Sequence, residues 1–218
     1  MVQSKGWDWE NADHSHWLKP SEESVYLAHK WRESNFHDIL DLGTGLGRHA
    51  IYFAKQGFRV SALDISEYGV AHLQSWAENE GLAVDARVGD MLVLPYPDNA
   101  FDCVFAYHVI SHTDTAGVRA IFTEIERVLR PQGEVFLTFC SKETTDFMEP
   151  GLPRPDANTV IRQSEPENGV PHFFVDLQDL RGLFRSFDIE KARHLEYCVL
   201  DPQHTFQRKY YYVNARLR

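Results

Sequence analysis

No stretch of 18 consecutive apolar residues occurs in the 218-residue chain, so no membrane-spanning helix and no membrane partner is expected. Met1 to Glu10 contains no apolar segment behind a basic one, which argues against a secretory signal. Basic residues are in deficit: 22 Lys and Arg face 32 Asp and Glu, a net charge of −10. That balance argues against a nucleic-acid partner held through its phosphate backbone. Cysteine is scarce and odd in number (Cys103, Cys140 and Cys198, widely spaced). Buried thiols in a reducing, cytoplasmic compartment suit this pattern better than disulfides or a zinc cluster. Internal repeats and low-complexity tracts are absent.

What is present reads as an ordinary globular protein, with 43% hydrophobic and 25% charged residues. The length fits one domain over residues 1–218, large enough to bury about 70% of its unfolded surface without staples. Aromatic residues are unevenly placed: Trp7, Trp9 and Trp17 are three of the five tryptophans.

Along the chain, Ser21-Glu22-Glu23 after Pro20 predicts a helix start, running to about Arg32 and burying Val25, Leu27, Ala28 and Trp31. Strands follow at Asp38–Leu42, Phe58–Leu63, Val84–Val88, Phe101–Ala106 and Glu134–Phe139. Helices alternate with them near Gly47–Lys55, Ser66–Glu80 and from Thr113 or Asp114 to Leu129. This alternation predicts an α/β, doubly wound, mostly parallel sheet with helices on both faces. Ser141 to Pro171 breaks the rhythm with five of the ten prolines and is read as an excursion with one short strand at Thr159–Arg162. A helix near Leu177–Phe184 and a hairpin of Phe187–Cys198 with Phe206–Leu217 complete the chain.

Chemistry concentrates at Asp41-Leu42-Gly43-Thr44-Gly45-Leu46-Gly47, a strand-to-helix turn. Glycines there admit a ligand close to the backbone and leave helix N–H groups aimed at it. Asp64 ends the second strand 21 positions after Gly43, where a carboxylate can accept ribose hydroxyls. A dinucleotide fingerprint needs a glycine where Arg48 stands and an apolar residue where Asp41 stands. A carboxylate at Asp41 repels a pyrophosphate and attracts a cationic nucleoside, so a nicotinamide-dependent oxidoreductase is the lesser alternative.

With these elements the chain, over residues 36–140, resembles the class I S-adenosylmethionine-dependent methyltransferases. Ile39 to Gly47 is similar to the family's first motif, and Ala62-Leu63-Asp64-Ile65-Ser66 to its second. Gly89-Asp90-Met91 resembles the segment that places an acid near the adenine amino group. Phe101 to His108 resembles the fourth strand with the start of the acceptor-facing loop, and Arg127 to Gly133 the following helix-to-strand turn. Within the class, the pattern is similar to small-molecule enzymes such as those of ubiquinone and menaquinone biosynthesis. The resemblance implies a Rossmann-like seven-stranded sheet with an antiparallel last strand and S-adenosyl-L-methionine as methyl donor. It implies donor contacts from Asp41, Gly43, Thr44, Gly45, Asp64, Ile65, Asp90, Met91 and Tyr107. A donor-binding regulatory protein without catalysis would carry the same motifs.

Methyl transfer is an in-line displacement in which positioning does much of the work, and a base is needed only when the acceptor must lose a proton. Tyr107, His108, His112 and His172 are the candidates for acceptor-side roles. His108 and His112 are four apart, so a helical turn would set both imidazoles on one side. A metal there would need a further ligand such as His172, and the expectation is no metal. The acceptor is expected to be a small molecule, with no motif to name it. Residues 1–35 are expected to form a lid and helix region, because aromatic faces attract cations by roughly 0.5–2 kcal/mol and closure excludes water. His14 and His16 in that segment are expected to be solvated, and residues 141–175 to form an insertion near the acceptor site.

Overall fold

The computed structural model describes residues 7, 9, 17–163, 167–200 and 205–218, without the side chains of 198–200 and 205–207. His14, His16, most of the first ten residues and the Cys198 side chain therefore lie outside the described residues.

Five parallel strands form the centre of the sheet: β1 (Asp38–Leu42), β2 (Arg59–Asp64), β3 (Val84–Val88), β4 (Phe101–Ala106) and β5 (Leu129–Ser141), in the order β3-β2-β1-β4-β5. Helix α1 (Glu22–Glu33) precedes them, and α2 (Arg48–Lys55), α3 (Glu67–Asn79) and α4 (Thr115–Val128) are the crossovers. The expected hairpin, β8 (Phe187–Leu200) with β9 (Thr205–Leu217), adds β9 antiparallel to β5 at the far edge. These seven strands are the seven expected, with the last one antiparallel.

Side-chain polarity explains the layers. Leu40, Leu42, Val104 and Ala106 enter one core with α4, while Ile39, Cys103 and Phe105 enter the other with α1, α2 and α3. With both faces covered, β1 and β4 read as continuous apolar runs, as parallel strands do. The helices start on caps the sequence supplies: Ser21, Ser66 and Asp114 each accept an N–H of the first turn. One face assignment differs from expectation. Val25 is exposed, and Ser24 is buried in its place because the inward stripe of α1 runs through Ser24, Leu27, Ala28 and Trp31.

The 141–175 stretch is more ordered than its prolines suggest. It holds a short helix α5 (Thr145–Met148) and two strands, β6 (Thr159–Ile161) and β7 (Pro171–Val175), paired antiparallel. Strand β5 outruns β4: its last β4 partner is Leu137, and Cys140 and Ser141 pair with Phe174 and Val175 of β7. The β6-β7 pair thus extends the sheet past the carboxyl end of β4. A bond from Phe173 N–H to the Ser111 carbonyl (2.7 Å) ties it to the loop after β4. Helix α6 (Leu177–Leu183) follows on a reciprocal capping box between Asp176 and Asp179. Among the described residues no helix is long and apolar enough to cross a membrane.

Candidate functional site

The turn between β1 and α2 is built on three glycines with positive φ: +70° at Gly43, +56° at Gly45 and +94° at Gly47. Only glycine adopts these values without strain, which is why the three alternate there. Space demands them as well. A Cβ on Gly43 would lie 2.2 Å from Val109, and one on Gly45 would lie 2.6 Å from the Trp9 ring.

Three acids surround this turn. Asp41, 1% exposed, accepts from the Thr44 hydroxyl at 2.6 Å, and burial pushes its carboxyl up to about 7. Asp64 receives the Gly45 N–H on one oxygen (2.8 Å) and the Ser66 N–H on the other (2.9 Å), stitching the end of β2 to the glycine turn. Burial raises its carboxyl too, against the pull of those N–H groups. Asp90 accepts from the Leu92 N–H at 2.9 Å, closing the turn after β3. Thr44, Ile65 and Met91 join Gly43, Gly45, Asp64 and Asp90 along the wall of one pocket at the carboxyl ends of the strands. The sequence-expected donor residues are thereby brought together, with Asp41 beneath the turn and in contact with it through Thr44.

Aromatic groups close the same pocket. Trp7, Trp9 and Trp17 pack against one another at 5.5–6.1 Å between ring centroids. The Arg48 guanidinium, at the start of α2, lies between Trp17 (5.0 Å) and Tyr107 (5.4 Å). His49, 4% exposed, accepts the Ser21 N–H at 3.2 Å and so fastens the start of α1 to the pocket wall.

The remaining half of the pocket carries the histidines. A helical turn through His108 and His112, which would set both imidazoles on one side, is not formed: His108 has φ +56°, and α4 begins only at Thr115. The two side chains instead face different partners. His108 Nε2 meets the Tyr212 hydroxyl at 3.2 Å, and that hydroxyl also meets those of Tyr107 (2.9 Å) and Tyr197 (3.0 Å). His112 packs on His172, with ring centroids 5.0 Å apart. Burial drives all three imidazoles toward the neutral form, His108 and His172 down to about 3. Burial also pushes the Tyr107 phenol up to about 12. Asp102, expected to cap a turn, accepts the N–H groups of His37 and Asp38 and pairs with Arg130, at the opposite end of the strands.

Residues 39–133 match the sequence model of a methyltransferase domain. A sterol 24-C-methyltransferase of Gibberella zeae is 37% identical over 111 residues, covering 50% of this chain and 29% of the relative. A glycine/sarcosine/dimethylglycine N-methyltransferase of Actinopolyspora halophila is 38% identical over 104 residues, 46% of this chain and 18% of the relative. Among solved structures, a SAM-dependent methyltransferase of Methanosarcina mazei superposes with TM-score 0.72 at 19% identity, covering 92% of this chain and 99% of that one. Over residues 39–133 the chain is thus similar to a methyltransferase domain, and its sheet has the fold of solved SAM-dependent methyltransferases. It spans less than a third of the length of either of those two curated relatives.

The methyltransferase match ends at residue 133, so part of the pocket lies beyond it. Arg162, Glu167, Arg208 and Tyr210 line the histidine half and were not singled out from the sequence. Arg162 and Glu167 sit in the irregular 141–175 stretch and Tyr210 in β9, between β5 and β8, where no local pattern marks them. In the sequence Arg48 counts only against a dinucleotide fingerprint, although its place one residue after the glycine turn puts it at the pocket.

Proposed function

We propose that the chain transfers a methyl group from S-adenosyl-L-methionine to a small polar acceptor. The observation that carries this reading is a single pocket with two unlike halves: the glycine turn with Asp64 and Asp90 on one side, and a polar, histidine-rich lining on the other. The cradle fits the donor. The positive φ of Gly43 and Gly45 turns the backbone along the pocket wall, and the Asp64 carboxylate, held by backbone N–H groups, keeps acceptor capacity for a ribose hydroxyl. In this reading Asp90 faces the adenine, Ile65, Met91 and Tyr107 pack around the nucleoside, and the field of Asp41, relayed through Thr44, favours a cationic ligand over a pyrophosphate. When bound, the sulfonium supplies an activated methyl group for in-line displacement.

The chain's own task is then to bind, align and dry the reactants. Residues 1–35 act as the lid region through Trp7, Trp9 and Trp17, and residues 141–175 as an insertion that walls the acceptor half, both within one domain over 1–218. His108, held neutral by burial with Nε2 on the Tyr212 hydroxyl, is a candidate to orient the acceptor. His112, His172 and Tyr107 are acceptor-positioning candidates. The acceptor half exposes His108, His112, Arg162, Glu167 and His172, so a small polar acceptor suits it better than the apolar body of a sterol. A cytoplasmic setting is supported by Cys103 and Cys140, both free, and the acidic balance favours a small molecule over a nucleic acid.

Calorimetry with S-adenosylhomocysteine, followed by labelled-methyl transfer to a panel of small polar nitrogen, oxygen, sulfur and carbon nucleophiles, tests the proposal. Binding with product supports it. Binding without product across the panel favours a donor-binding regulatory protein, and affinity for a nicotinamide dinucleotide instead would overturn it.

A further inference from the structure

His112 lies in the loop after β4, whereas Glu167 and His172 belong to the 141–175 stretch, yet the fold brings all three to one place. A ring nitrogen of each histidine and a carboxylate oxygen of Glu167 lie within 4.8 Å of one another. Hydrogen accounting makes the cluster unusual. His172 Nδ1 faces the Val170 carbonyl at 3.2 Å and Nε2 faces Glu167 Oε1 at 3.1 Å. Both partners only accept, so either the imidazole carries a hydrogen on each nitrogen or, with one hydrogen given to the carbonyl, a cation stands between Nε2 and the carboxylate oxygen.

We propose that His112, Glu167 and His172 form a binding site for one divalent transition-metal ion of the zinc class, open to the acceptor half of the pocket. Two imidazoles and one carboxylate are a donor set that suits such ions, and three protein ligands leave a coordination position free. Ligand distances of about 2.0–2.2 Å place neighbouring donors about 3.3 Å apart around a tetrahedral ion, close to the His172–Glu167 separation. The outer contacts are also in place. The Val170 carbonyl fixes the His172 ring so that Nε2 faces inward. Arg162 holds the second oxygen of Glu167 and is itself held by Asp146 at 2.6 Å, so Oε1 is left for the ion. Ligating histidines and carboxylates characteristically have such partners. The site departs from the expectation of no metal drawn from the sequence. All three ligands line the pocket that holds the glycine turn, so an ion there would orient an oxygen or nitrogen of the acceptor and act on it as a Lewis acid. Only that last role rests on the methyl-transfer reading; binding of the ion does not.

The test uses the full chain, stripped with a chelator and titrated with zinc against a chromophoric competitor, with no donor or acceptor present. One ion per chain is expected, weakened about tenfold or more by Glu167→Gln, which keeps the shape of the side chain, and by His112→Asn. His29→Ala, on the exposed face of α1, leaves the affinity unchanged, and circular dichroism confirms that each variant is folded. Cobalt in place of zinc should give visible absorption bands that the Glu167→Gln variant loses. Absence of a stoichiometric site overturns the proposal, as does zinc affinity indifferent to both Glu167→Gln and His112→Asn. Nitrogen-15 shifts showing both His172 ring nitrogens protonated in the zinc-loaded protein would overturn it too. Because binding is read without turnover, failure here is distinguishable from failure of the methyl-transfer reading.

Discussion

Strand β1 has an aspartate at its entrance and another near its exit, and the two live under opposite conditions. Asp38 is gripped by two guanidinium nitrogens of Arg59 (Nε at 2.6 Å and Nη2 at 2.7 Å) and by Arg130 at 2.8 Å, which hold its carboxyl below the usual range. Asp41 has the Thr44 hydroxyl and the Ala50 N–H, with the Arg48 guanidinium acting only at longer range, and burial pushes it up to about 7. The contrast extends across the sheet. At the amino ends, Glu134 is 2% exposed yet meets Lys30 (2.8 Å), the Trp31 indole N–H (2.8 Å) and Arg216 (2.5 Å). At the carboxyl ends, Asp64 is buried with only backbone N–H partners. One end of the sheet has its charges neutralised by the protein, and the other has carboxylates left for something else to satisfy. Groups whose ionisation is costly in the empty protein are what a binding site retains.

Substitutions at the two ends should separate these roles. The largest effect is expected at the neutralised end: Glu134→Ala leaves the buried Trp31 N–H without its partner and Lys30 and Arg216 with Glu190 alone, and should cost about 3–5 kcal/mol in urea unfolding. A cost below about 1 kcal/mol would break the distinction. At the other end the sign reverses. A folded carboxyl near 7 against about 3.9 in the unfolded chain makes ionised Asp41 a liability that grows as pH rises from about 4 to 7. Asp41→Asn should therefore be more stable than the parent by about 2–4 kcal/mol at pH 8, the gap closing toward pH 4, while binding the donor less well. A pH-independent gap would show that Asp41 is ionised at no cost.

Asp64→Ala should weaken donor affinity by about 1–3 kcal/mol, as measured by calorimetry, since it removes a partner of buried polar groups. Unchanged affinity would detach Asp64 from the ribose. A smaller effect, about 1–2 kcal/mol of stability, is expected for Gly45→Ala from its positive φ, with the Trp9 contact adding to it. Pairing it with Trp9→Ala should recover the part due to the clash and leave the part due to the backbone.

The glycine turn and Asp64 were readable in the sequence because each is a local matter: a strand end, a sharp turn and an acid at the next strand end. The alternating helices and strands were readable for the same reason, since caps and apolar spacing act over a few residues. Val25 was misplaced because a short helix's inward stripe depends on what it packs against. His108 and His112 do not share a face, because a spacing of four means one face only if the segment is helical, and His108 adopts φ +56° instead. The 141–175 stretch hid β7, whose strand character comes from pairing with the overhanging end of β5 and not from its own pattern.

The sequence by itself thus determined the sheet, the cradle and its acids, because those rest on backbone conformation and on residues close to one another in the chain. Tertiary structure alone decided what faces the cradle. It set Trp9 against Gly45, gathered His112, Glu167 and His172, and buried Asp41 beyond what its partners offset while pairing Asp38 with two arginines. Contacts between distant segments and the local dielectric are properties of the folded chain, and no short stretch of sequence encodes them.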